Sequence, residues 1–152
     1  MKLFIHRLAL GLVLCCLVTP TLAAKDSSSV VKVSAKAGKI DADGNQEIVL
    51  TVDVAKKWHV YANPVGNSTL KGAQTTVTVK SKVQSSKVKY PVGHLVKDEI
   101  LGDYFTYEGK STIKVKVQRN KGDTSPIDLV VFVQACDANQ CLVGAKIKVS
   151  AK

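Results

Sequence analysis

The alternation in QEIVLTVDV, residues 46–54, restricts this chain more than any other feature. Ile48, Leu50, Val52 and Val54 recur at every second position, so an extended strand puts all of them on one face. STIKVKVQ, residues 111–118, repeats the device, with Ile113, Val115 and Val117 on one side and Lys114 and Lys116 on the other. A helix would scatter these side chains around its axis. Segments of this kind bury one face and wet the other, which calls for antiparallel sheet packed on a second layer.

The remaining segments follow the same pattern. Val30 to Ala35, Trp58 to Tyr61, Thr75 to Val83 and Lys87 to Tyr90 read as strands. Ile127 to Ala135 is the most apolar stretch and reads as a central strand, and Leu142 to Val149 closes the chain. Asp41 to Asn45, Asn63 to Gly66 and Pro91 to Gly93 supply turn residues between them. About eight short strands with a turn signal roughly every ten residues predict an all-β fold, an immunoglobulin-like antiparallel β-sandwich. No internal repeat, linker or second domain interrupts it. The expected division is a flexible leader over 25–29 and one domain over 30–152.

Residues 1–24 read as a signal peptide. Lys2 and Arg7 precede the apolar run Leu8 to Val18, Pro20 ends it, and Ala23 and Ala24 offer a cleavage site. The run is shorter than the roughly 20 residues a bilayer span needs, so no transmembrane span is expected in the mature chain. Cys15 and Cys16 lie in this run, lack the small preceding residue a lipidation signal requires, and are expected to leave with the signal. The mature protein is then periplasmic or secreted, with Cys136 and Cys141 as its two cysteines. An oxidising compartment favours a disulfide between them.

Charge narrows the function. Without Lys2 and Arg7 the formal charge falls from +10 to +8. The lysines alternate with valines, as on a solvated sheet face. Aromatic residues make up only 5 % of the chain and interleave with no basic run, so nucleic acid is not an expected partner. The serines sit in no elbow motif, which removes the usual serine hydrolase. His59, His94 and the cysteines lack tight ligand spacing, so neither a metal nor another cofactor is expected. His94 reads as a loop residue and Trp58 as a core residue between the sheets.

QACDANQC, residues 134–141, is the segment with chemistry in it. Cys136 ends the expected central strand and Cys141 starts the last one, with Asp137 to Gln140 as a four-residue loop. Opposed residues in such a hairpin have Cβ atoms about 4.5–5.5 Å apart, and a disulfide closes at about 3.8 Å. The entropic gain from so small a ring is only about 2 kcal/mol before strain, less than a staple between the two sheets would give. Two readings remain. The bond is a structural clasp in a non-catalytic immunoglobulin-like binding module, or an exposed disulfide open to exchange with an attacking thiolate. Asp137, beside Cys136, would disfavour the thiolate.

WHVYANP (58–64), YPVGH (90–94), YFTYEGKSTI (104–113) and QACDANQCL (134–142) together resemble the N-terminal periplasmic domain of the thiol:disulfide interchange protein DsbD. The resemblance implies an immunoglobulin-like sandwich with Cys136 and Cys141 as a redox pair, Cys141 attacking first. It implies a membrane electron transporter acting through a thioredoxin-like domain as donor, and periplasmic thiol–disulfide proteins as recipients. It also implies a cap loop over the disulfide, expected here at Asp103 to Gly109 with Phe105 or Tyr107 as the capping aromatic and Tyr104 beside them. His59 and Tyr61 resemble the aromatic pair flanking the cysteines, and alternation places both opposite Trp58 and Val60. Four residues separate the cysteines where some members have five, the proline that often follows the second is absent, and no transmembrane helices or C-terminal Cys-x-x-Cys domain are expected with the pair. A relay would therefore draw on a reductant in trans.

Overall fold

The structure, a computed structural model, describes residues 25–152. The expected signal peptide and its two cysteines lie outside the described residues. Eleven strands run in the order β1 (Val31–Ala37), β2 (Asn45–Val54), β3 (His59–Tyr61), β4 (Thr76–Val79), β5 (Ser85–Lys89), β6 (His94–Val96), β7 (Tyr104–Tyr107), β8 (Lys110–Gln118), β9 (Ile127–Val133), β10 (Ala135–Cys136) and β11 (Ala145–Ala151). Every pairing between them is antiparallel, and the described residues hold no α-helix.

The strands form the sheets β1-β2-β8-β5, β10-β3-β7-β6 and β11-β9-β4 around one core, an immunoglobulin-like antiparallel β-sandwich. The core follows from the two-residue period. Ile48, Leu50 and Val52 of β2, Ile113 and Val115 of β8, and Ile127, Val131 and Val133 of β9 are each fully buried. Burying each such side chain stabilises the fold by about 1.5–3 kcal/mol.

The expected central strand divides. Ile127–Val133 pairs with β11 and β4, whereas Ala135–Cys136 pairs with β3 in another sheet. Gln134 is the step between them, and it carries Cys136 out of the layer its sequence run suggests. The last strand starts at Ala145, so the arm 141–144 lies outside regular strand.

Trp58 is half-buried at the rim of the core rather than sealed between the sheets. Tyr107 fills that role: it is 1 % exposed. Its hydroxyl lies 3.2 and 3.0 Å from the Asn63 and Pro91 carbonyls and accepts from Asn63 N–H at 3.1 Å. A buried phenol needs such partners, and the loop segments at Asn63 and Pro91 supply them. His94 is the exposed first residue of β6, not a loop residue.

The 25–29 stretch carries a turn of its own. Asp26 caps a short 3-10 turn over Ser27–Ser29 by accepting from Ser28 N–H, and Ser27 is fully buried.

Candidate functional site

The cysteine hairpin closes as its spacing allows. Cys136 and Cys141 face each other as an isolated antiparallel bridge and are joined by a disulfide of 2.04 Å. Asp137 N–H donates to Gln140 O at 2.9 Å, and Leu142 N–H donates to Ala135 O at 2.8 Å. The Asp137 carboxylate accepts from Asn139 and Gln140 N–H, both at 2.8 Å. These bonds hold its pKa below the usual carboxylate range, and the charge of His59 adds to the shift. Asp137 thus builds the loop, and its charge is spent on backbone donors.

The two sulfurs have unequal surroundings. Cys136 is 2 % exposed, whereas Cys141 is open to solvent. Cys136 packs with Tyr61, Val65 and Tyr104 in a small cluster apart from the main core. The Tyr61 hydroxyl stands 3.6 Å from Cys136 Sγ. The Tyr61 and Tyr104 ring centres are 5.7 Å apart, and His59 meets Tyr61 edge-on at 6.0 Å.

Register explains this grouping. Cys136 is opposite His59, and Tyr61 is opposite Thr106 two residues on from Tyr104. Opposed residues share a face, so His59, Tyr61, Tyr104 and Cys136 lie on the side away from Val60. Burial lowers the His59 pKa, with Glu108 and Asp137 pulling it back up. Burial raises the Tyr61 pKa, and Tyr104 and Asp98 push it further, so this phenol keeps its proton at neutral pH.

The stretch expected to hold the cap is regular strand for most of its length. Tyr104–Tyr107 is strand β7, paired on both sides with β3 and β6, and a lid there would break two ladders at once. Of the three aromatics only Tyr104 shares the cysteine face. Phe105 packs against Gly66 and the main core, and Tyr107 lies inside that core. The exposed turn sits one step earlier, at 98–102 between β6 and β7. Asp98 Oδ1 accepts from Ile100 and Leu101 N–H at 2.9 and 2.8 Å, and Gly102 takes a positive φ of 81°. Ile100 is 94 % exposed and Leu101 47 %. Val96, just ahead of this turn, packs against the cluster, and the Asp98 charge adds to burial in raising the pKa values of Tyr61 and Tyr104. Asp98 three residues ahead of Leu101, with Gly102 following, was the readable signal for a tight turn.

Ser27, in the leader, carries no signal in the sequence for its role at the hairpin. Its hydroxyl donates to Val143 O at 2.9 Å and accepts from Ala135 N–H at 2.9 Å. One side chain from the leader thereby clamps both arms of the cysteine hairpin. Ser27→Ala leaves the Ala135 N–H unpaired in a buried site. We expect a loss of about 1–3 kcal/mol in urea unfolding, with the m-value unchanged.

Among the described residues no group of three His, Cys, Asp or Glu side chains could hold a metal ion. No helix among them is long and apolar enough to cross a membrane. The family described as thiol:disulfide interchange protein DsbD, N-terminal, matches residues 27–150.

This chain belongs to the DsbD N-terminal family.

Two solved structures share the fold. The N-terminal periplasmic domain of ScsB from Proteus mirabilis superposes with a TM-score of 0.58 at 19 % identity, over 78 % of this chain and 45 % of that one. The present chain therefore spans less than half the length of that solved domain. The reduced DsbD N-terminal domain of Neisseria meningitidis gives 0.53 at 16 % identity, over 83 % and 87 %. The complex of the DsbD and PilB N-terminal domains from the same organism gives 0.46 at 13 % identity, over 78 % and 80 %. No curated protein matches the sequence significantly. The family takes its description from a thiol:disulfide interchange protein, and the paired cysteines of this member are bonded.

Proposed function

We propose that this DsbD N-terminal domain is an exported electron relay whose carrier is the Cys136–Cys141 bond. The observation that carries the reading is the asymmetry of the pair: Cys141 is exposed, while Cys136 is buried beside the Tyr61 hydroxyl. Exchange needs one reachable sulfur and one well-held leaving group.

In the charging step, a thiolate of a thioredoxin-like donor attacks Cys141 Sγ. The Cys136–Cys141 bond breaks and its electron pair goes to Cys136 Sγ, which Tyr61 O–H can stabilise by donating to it. The donor's second thiol then displaces Cys141, leaving an oxidised donor and a reduced domain. In the delivery step, the Cys141 thiolate attacks a disulfide of an exported thiol protein and releases one of its thiols. Cys136 then attacks Cys141 Sγ, frees the second thiol of the target and restores the bond. Two electrons pass and no cofactor is needed. The donor is a thioredoxin-like domain or membrane electron transporter in trans, and the setting is the periplasm. The 98–102 turn, with Ile100 and Leu101 exposed beside the cluster, serves as the lid in place of 103–109.

Equilibration of the folded protein with glutathione redox buffers tests the reading. A relay should reach equilibrium at roughly −120 to −270 mV, whereas a bond that stays closed below about −300 mV is a clasp, and the domain is then a binding module.

A further inference from the structure

Register collects lysines that the sequence places in separate strands. Lys87 stands directly opposite Lys116, and Lys89 opposite Lys114, on consecutive outward positions of β5 and β8. Lys110 of β8 and Lys32 and Lys36 of β1 extend the same outward face. The carboxylates among these strands are Glu47 and Asp53. Glu47 reaches Lys114 at 3.2 Å, and Asp53 reaches Lys110 at 3.9 Å. Lys87, Lys89 and Lys116 take part in no ion pair among the described residues.

We propose that the outer face of the β1-β2-β8-β5 sheet docks this domain on an anionic phospholipid bilayer. Like charges set directly opposite each other weaken a sheet, and a face shaped for solubility intersperses its signs. Here two successive rungs set lysine against lysine, and although Glu47 pairs with Lys114, seven outward lysines stand against two carboxylates, so a surface about 14 Å across, from the ~4.8 Å strand spacing, stays positive. The four strands carry no aromatic residue. A protein partner would find no anchor there, since interface cores favour aromatics and exclude lysine. A single-stranded polyanion would find nothing to stack on. Headgroup phosphates need only the charge, and each lysine near such a surface is worth roughly fivefold in binding. The cysteine hairpin belongs to another sheet, so docking on this face leaves its chemistry to be tested separately.

The test is co-sedimentation of the protein, purified from the exported fraction, with vesicles. One set is phosphatidylcholine alone and the other is two parts phosphatidylcholine to one part phosphatidylglycerol. The expected result is binding to the anionic vesicles only, weakening as salt rises through about 0.15 M. Lys87→Gln/Lys89→Gln/Lys116→Gln should lose at least about tenfold in binding. It removes both opposed pairs, so its melting temperature should not fall. Lys80→Gln/Lys146→Gln/Lys148→Gln changes the net charge equally on the outer face of β11-β9-β4 and should bind within about threefold of wild type. Any N-terminal contribution is common to all three proteins. Equal losses in the two triple variants, equal binding to both vesicle types, or no binding to anionic vesicles would overturn the proposal. None of these outcomes bears on whether the disulfide exchanges.

Discussion

A Cys136→Ser chain, left with Cys141 as its thiol in the folded domain, should react rapidly with a bulky maleimide and form a stable mixed disulfide with an oxidised thioredoxin-like protein. The Cys141→Ser chain should react about a hundredfold more slowly. The difference follows from burial. Cys136 is 2 % exposed and enclosed by Tyr61, Val65 and Tyr104, whereas Cys141 faces solvent. A reagent reaches Cys136 only through local opening, and an opening of about 3 kcal/mol is about a hundredfold in rate. The measurement is the rate of mass gain of the two variants under native conditions. Equal rates would mean that the two sulfurs are equally reachable and that the asymmetry assigning their roles is not real. Fast reaction at Cys141 combined with a bond that glutathione cannot open would leave a clasp with one accessible end.

Tyr107 should behave as a stability residue, with little influence on exchange. Tyr107→Ala is expected to cost about 3–5 kcal/mol, the range for removing a large buried aromatic. Tyr107→Phe keeps the ring and removes the hydroxyl that faces Asn63 N–H and the Asn63 and Pro91 carbonyls. Leaving those groups unpaired should cost about 1–3 kcal/mol. Urea unfolding gives both values. In the Cys136→Ser background, adding Tyr107→Phe should leave the alkylation rate of Cys141 unchanged while the domain stays folded. A Tyr107→Phe variant of wild-type stability but faster alkylation would return this residue to the lid. The distinction matters because YFTY offers three aromatics within one four-residue strand, and only strand pairing separates their duties.

The strands were legible because their signal is local. Alternation in 46–54 and 111–118 needs only neighbouring residues to specify which side chains go inward, and those side chains form the core. The cysteine hairpin was legible for the same reason, since Cys136 and Cys141 are separated by a loop short enough to set their opposition. The face shared by His59 and Tyr61 also follows from alternation within one strand. That 104–107 is a paired strand was not legible, because aromatic content does not reveal whether a segment is paired. β7 is held between β3 and β6, which are distant from it or from each other in sequence.

Alternation and spacing by themselves determined an all-β sandwich with a bonded cysteine pair at a bend. Long-range pairing decided the rest. The step at Gln134 moved Cys136 into another sheet and sealed one sulfur, and Ser27 tied the leader to the hairpin. The same pairing brought lysines of three strands onto one surface. Such arrangements depend on contacts between residues far apart along the chain, and no local period encodes them.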